Sequence, residues 1–208
     1  YPNFSSHLHP KFSPVFLSPV SASDTTELIG AVGGSVTFRT QNTDRSAALW
    51  TFGNEAIVTV IFGNLPQPVF FQEKFQTRFA ISESGRALSI TPLRMEDAGT
   101  YSVIINGLKS TFILHVYEEL AEPRVSCEAQ NCSGGSCSFS LRCSAPGAGL
   151  GNVSYVWSAG HRPWGEGPEL LWGNESSRDA PGPLTCMARN PVSSRNVTVT
   201  EPAELCAG

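Results

Sequence analysis

All six cysteines of this 208-residue chain fall between Cys127 and Cys206, and the first 126 residues contain none. Four Asn-X-Ser/Thr sequons share that cysteine-bearing stretch, at Asn131, Asn152, Asn174 and Asn196, and a fifth stands at Asn3. An even cysteine count among sequons points to an oxidising, glycosylating route and to disulfides. The second half is therefore expected to be a small cross-linked unit. The first half must hold together by packing alone.

The rest of the pattern is short β-rich runs between turns. Gly and Pro supply 19 and 15 residues, which leaves little room for long helices. Residues 34–40 alternate, with Val36, Phe38 and Thr40 on one face. Further runs follow at 47–52, 56–62, 70–75, 78–82, 87–90, 101–105 and 111–117. The segment 118–123 (GluGluLeuAlaGluPro) is polar, ends in proline and reads as a linker. A second series lies at 138–143, 153–157, 169–172, 184–188 and 196–200. Many short strands without a sustained helical period predict an all-β chain of sandwiches. The division is a tail at 1–24, a first domain at 25–117, the linker and a second domain at 124–208.

Cys143, Trp157 and Cys186 then fix the sandwich type. A Cys…Trp…Cys order marks an immunoglobulin-like domain, in which a disulfide joins the two sheets and the Trp packs on it. The first half repeats the scheme without sulfur. Trp50 is followed by AspAlaGlyThrTyrSerVal at 97–103, so Val103 and Thr40 occupy the two cysteine positions. The longer spacing in the first domain leaves room for the extra strands of a variable-type sandwich, and the shorter second spacing suits a constant (C2) type. Arg78 and Asp97 are placed to close the base of the first sandwich as an ion pair. The alternative is two ordinary surface charges. Cys206 can reach back to the start of its domain, which favours Cys137–Cys206 and leaves Cys127–Cys132 as a local loop. Pairing of Cys127 or Cys132 with Cys206 stays open on sequence alone.

These residues together resemble the SLAM (signalling lymphocytic activation molecule) family of leukocyte receptors. The resemblance rests on GlyGlySerValThrPhe (33–38), LeuArgMetGluAspAlaGlyThrTyr (93–101), LeuHisValTyrGluGluLeuAlaGluPro (114–123), CysMetAlaArgAsnProValSer (186–193) and GluLeuCys (204–206). It runs from about Glu27 to Cys206 and looks closest to the branch holding CRACC and Ly-nine. It implies a variable-type domain without the core disulfide followed by a constant-type domain with two. It also implies that the second of those disulfides joins Cys137 and Cys206. Cys127 and Cys132 are additions to the family pattern, and Leu184 stands where a tyrosine is usual. The hairpin tip at 106–110 is short, and the stretch before Asp24 has no counterpart.

The resemblance implies an immune-cell surface recognition protein. Family members mostly bind a copy of themselves on an opposing cell, and one pair binds each other, through the sheet formed by the strands lettered G, F, C and C′. Alternation predicts that face here. With Trp50, Val103, Leu114 and Val116 inward, Leu49, Thr51, Ser102, Ile104, Ile113 and His115 face outward. Outward Leu49, Ile104 and Ile113 would form an apolar patch on a wet sheet. Phe62, Phe70 and Phe71 are further candidates. The expected partner is the protein itself or another SLAM-family ectodomain. A second reading is a secreted or virus-encoded mimic that binds a host family member as a decoy.

Other classes fit poorly. A net charge of −4 argues against a nucleic-acid partner. No Gly-X-Ser-X-Gly, His-Glu-X-X-His or phosphate loop is present, so neither an enzyme nor a small-molecule substrate or cofactor is expected. The His7-X-His9 pair is a weak metal motif, and a zinc knuckle from Cys127 to Cys143 is outweighed by the secretory sequons. No run reaches the roughly 20 apolar residues of a membrane span, so an anchor is expected outside this stretch.

Overall fold

The computed structural model describes residues 25–41, 46–173, 183–202 and 204–207. The tail at 1–24, with Asn3, His7 and His9, lies outside them, as does Asn174.

The first half supplies β1 (Thr25–Ala31), β2 (Val36–Arg39), β3 (Ala47–Phe52), β4 (Glu55–Ile61), β5 (Gln67–Phe70), β6 (Phe79–Ser82), β7 (Ala87–Ile90), β8 (Gly99–Ile105) and β9 (Leu108–Tyr117). They form a six-stranded sheet in the order β1-β9-β8-β3-β4-β5, facing a three-stranded sheet β2-β7-β6. β1 runs parallel to β9, and the other pairs are antiparallel. β4 and β5 are the extra strands of the variable type. The second half supplies β10 (Arg124–Ser133), β11 (Ser136–Ser144), β12 (Ser154–Ala159), β13 (Arg162–Glu166), β14 (Glu169–Gly173), β15 (Leu184–Arg189) and β16 (Ser194–Val199). Its sheets are β10-β11-β14 and β13-β12-β15-β16. The architecture is all-β, with two tandem immunoglobulin-like sandwiches.

Each sandwich buries its own core, and the first is aromatic where a disulfide could be. The Phe38 ring stacks on Tyr101 at 4.4 Å and lies 5.5 Å from Phe112, while Trp50 stacks on Phe112 at 6.0 Å. Val103 is buried beside them, and Thr40, half-buried just past β2, donates its backbone N–H to the Arg86 carbonyl. One sequence expectation changes. The run 70–75 is not a single strand, because β5 ends at Phe70 and residues Glu73–Gln76 make one helical turn. That turn drops Phe75 into the core, edge-on to Phe79.

The base of this sandwich is closed by the expected ion pair. The Arg78 guanidinium donates to both carboxylate oxygens of Asp97 and to the Pro92 carbonyl, and both charged side chains are largely buried. Asp97 also accepts the Arg94 backbone N–H at 2.7 Å. The Tyr101 hydroxyl donates to the Asp97 carbonyl at 2.8 Å, forming the tyrosine corner. Burial, reinforced by Asp97, holds this phenol above its ordinary pKa, so it stays a neutral donor.

In the second sandwich Cys143–Cys186 joins the sheets beside the fully buried Trp157. Leu184, at the usual tyrosine position, is buried in the core. The remaining pairs correct the sequence reading, because they are Cys127–Cys206 and Cys132–Cys137. The reason is strand geometry. Cys127 and Cys132 lie on one strand five residues apart, roughly 16 Å along an extended chain, beyond any disulfide's reach. The β10–β11 register sets Cys132 directly opposite Cys137. Cys127, farther back on β10, meets the short turn Glu204–Cys206.

The segment 118–123 is held against the second sandwich. Asn190 donates from Nδ2 to the carbonyls of Glu118 (2.8 Å) and Leu150 (2.9 Å), and its Oδ1 accepts from the Ser193 backbone N–H and hydroxyl. Ser193 Oγ in turn accepts the Leu120 N–H, and Leu120 is buried with Leu150 and Ala188. Gly151 is required at this junction. It has φ +70°, and a Cβ there would fall 2.5 Å from the Tyr117 ring.

Two outcomes are expected. Arg78→Ala leaves Asp97 buried without its partner and should cost about 3–5 kcal/mol in denaturant unfolding; a change under 1 kcal/mol would show the pair to be ornamental. Non-reducing peptide mapping should recover Cys127–Cys206 and Cys132–Cys137. By loop length, losing the first should cost about 4–5 kcal/mol and losing the second about 2 kcal/mol.

Candidate recognition face

The six-stranded sheet turns one side to the core, and among the described residues no layer covers the other side. On β3, β8 and β9 strict alternation puts Trp50, Val103, Leu114 and Val116 inside. The residues between them belong to the outer side. A bulge between Trp50 and Thr51 lets neighbouring Ile57 and Val58 on β4 both bury.

Register then aligns the outer residues into rows. One row crosses five strands as Lys109, Ile104, Leu49, Thr59 and Val69. The next is Thr111, Ser102, Thr51 and Ala56, and another joins Ala47, Ile61 and Gln67. At the β1 edge, Ile113 lies opposite Glu27 and His115 opposite the exposed Ile29.

Leu49 and Ile104 are thus brought side by side, while Ile113 stands apart near the β1 edge. Leu49, Thr51, Ile104 and Ile113 are half-buried. Ser102 corrects the prediction. It belongs to the outer side by register, but only 2% of it is accessible. Its short side chain is sunk between two β-branched neighbours, Thr51 and Thr111. His115 is partly exposed, with Nε2 3.9 Å from the Glu27 carboxylate and its ring stacked against Tyr117.

Highly accessible apolar side chains lie toward β4 and β5, as well as at Leu108 in the β8–β9 hairpin and Ile29 on β1. Ile61 is 57% exposed and Val69 67%, and Leu65 in the intervening turn and Phe71 beyond β5 are exposed too. Of the three aromatic candidates, Phe71 alone is exposed. The other two are not free, because Phe62 is buried under the Arg86 guanidinium and Phe70 packs on the core. Ile61 and Val69 escape sequence reasoning because the bulge breaks β4's alternation and β5 is a short edge strand. Beyond this face, at the β3–β4 turn, Glu55 accepts from Lys74 Nζ (2.8 Å) and Gln72 Nε2 (2.6 Å). The hydrogen bond from Lys74 is the main reason its carboxyl pKa is lowered.

All six cysteines are in disulfides, so none is left for a zinc knuckle. Among the described residues, no group of three or more His, Cys, Asp or Glu gathers to hold a metal. No helix among them is long and apolar enough to cross a membrane.

Known proteins place this geometry. No protein-family profile matches the chain. It is 29% identical over 202 residues to SLAM family member 7 of Homo sapiens, covering 88% of this chain and 57% of that one. It is 31% identical over 185 residues to SLAM family member 5 of Mus musculus, covering 83% and 54%. The chain is a homologue of the SLAM-family proteins. The T-lymphocyte surface antigen Ly-9 of Homo sapiens matches as well, at 29% over 194 residues, covering 87% of this chain and 29% of that protein. The three identities lie between 29% and 31%, so they favour no one of these relatives. The chain spans about half the length of SLAM family members 7 and 5. Among solved structures, the CD2-binding domain of CD58 superposes with a TM-score of 0.61 at 19% identity, covering 85% of this chain and 96% of that one. Murine CEACAM1b gives 0.61 at 16%, covering 85% and 94%. At such identities these two speak for the fold alone.

Hydroxyl-radical labelling of dilute protein should modify Ile61, Val69 and Phe71 more heavily than Leu49, Ile104 and Ile113. Equal labelling of both groups would contradict the packing of this face.

Proposed function

We propose that this chain is the recognition part of a SLAM-type immune-cell surface receptor, acting on the extracellular side. Through the outer face of its six-stranded sheet it binds a copy of itself or another SLAM-family ectodomain. The observation that carries this reading is the apolar surface formed by Ile104, Leu49, Ile61 and Val69. It lies on a sheet face that no other described residues cover, beside the row Thr111, Ser102, Thr51 and Ala56. Aliphatic side chains left open on such a sheet gain free energy when a partner removes them from water. Thr51, Ile113 and His115 flank this centre. Ser102 contributes to the shape of the sheet and not to contact. The cross-linked second sandwich, with 118–120 clamped to it by Asn190 and Ser193, acts as a stiff spacer under the binding domain.

Sedimentation velocity across concentration, alone and with SLAM-family ectodomains, tests the proposal. Ile104→Asp and Ile61→Asp should each weaken the association at least about tenfold, equivalent to roughly 1.4 kcal/mol. Leu171→Asp, on the exposed edge of the second sandwich, should leave it unchanged, and circular dichroism should show all three folded. Wild-type association by both face variants rejects this face. A strict monomer that binds another SLAM-family ectodomain selects the decoy or heterophilic form. A chain that binds neither itself nor any such ectodomain rejects the function.

A further inference from the structure

The second sandwich carries a feature the recognition face does not explain. On the outer side of its four-stranded sheet, one row across the strands reads Glu166, Val156, Met187 and Asn196. The flanking rows are polar where they cross β12, β15 and β16, with Ser154, Arg189 and Ser194 on one side and Ser158, Thr185 and Thr198 on the other. Val156 and Met187 are thus an apolar pair in a polar field, and they are 41% and 37% exposed. At the end of their row stands Asn196, the acceptor of the sequon Asn196-Val197-Thr198. Val197 packs on the core, so period-two alternation turns Asn196 and Thr198 to the outside with Met187.

We infer that Asn196 carries an N-linked glycan whose proximal sugars lie over Met187 and Val156 and take that apolar pair out of water. Directly opposed residues on neighbouring strands hold their Cβ atoms about 5 Å apart. Met187 therefore lies beside the attachment point and Val156 one strand further on. The attachment point is open, because Asn196 is exposed and borders a surface groove of about 470 Å³ shared with Glu122, Ser194 and Arg195. β16 is also the edge of its sheet, and a bulky polar group there blocks strand addition by another chain. The co-reactant is a lipid-linked oligosaccharide in the secretory route, acted on by its transferase. The Asn196 amide nitrogen bonds to the anomeric carbon of N-acetylglucosamine and gives up a proton. The bond from that carbon to the lipid pyrophosphate breaks, and the pyrophosphate leaves with the electron pair. Asn131 and Asn152 are exposed as well, but neither shares a sheet row with an exposed apolar pair.

The two methionines make the test internally controlled, since Met187 lies in this row and Met95, comparably exposed, lies in the first sandwich. The full chain is secreted from mammalian cells, and Asn196 occupancy is read by peptide mass. Dilute peroxide then oxidises wild type, Asn196→Gln, Thr198→Ala and Thr198→Ser. Thr198→Ser keeps the sequon, whereas Thr198→Ala removes it and keeps Asn196. Met187 should oxidise about threefold or more faster in Asn196→Gln and Thr198→Ala than in wild type and Thr198→Ser, with Met95 unchanged. Enzymatic removal of glycans from folded wild-type protein should give the same acceleration and bypasses any folding defect of the variants. An unoccupied Asn196, or Met187 oxidation that is the same with and without the glycan, overturns the inference.

Discussion

The first sandwich depends on the aromatic contact of Phe38, Trp50, Tyr101 and Phe112. Thr40 and Val103 stand where two cysteines would bridge the sheets, and a disulfide closing that loop would contribute roughly 4 kcal/mol. Four aromatic contacts at about 0.5–1.5 kcal/mol each are of the same order. The substitution has a geometric result too. Rings interlocked from β2, β3, β8 and β9 allow only one register, because a slip by one residue would turn Trp50 and Val103 to solvent. The composition of the outer face therefore follows from the packing of the inner one.

The second sandwich meets the same need covalently. Its core disulfide joins the sheets, Cys127–Cys206 ties the chain's end back to β10, and Cys132–Cys137 closes the β10–β11 hairpin. The segment between the halves is ordered by hydrogen bonds, with Asn190 as the hub and Gly151 leaving room for the Tyr117 ring. The motif read in the sequence as a family marker thus has a mechanical job. Its Asn and Ser bind the backbone of residues 118 and 120.

Strands with an apolar side were legible in advance. β2, β3, β8 and β9 alternate cleanly, and Arg78 with Asp97 and Tyr101 closes the base as their spacing implied. β10 and β13 were not legible. Most of β10 is exposed, and β13 contains Pro163 and Gly165, so neither shows an apolar period. The helical turn at Phe75 was hidden because a single buried aromatic looks the same in a strand.

By itself, the sequence determined the class of the protein. The Cys143, Trp157 and Cys186 triad, the tyrosine corner and period-two alternation each depend on near neighbours along a strand or on fixed spacing, and all are local enough to be read in one dimension. Only the tertiary structure decided which outward residues meet solvent and which cysteines meet each other. Ser102 is sunk between threonines from two other strands, Ile61 and Val69 stand open beyond a bulge, and Cys127 finds Cys206 across 79 residues. Those outcomes rest on cross-strand register and on the path of the chain's end, which no local spacing encodes.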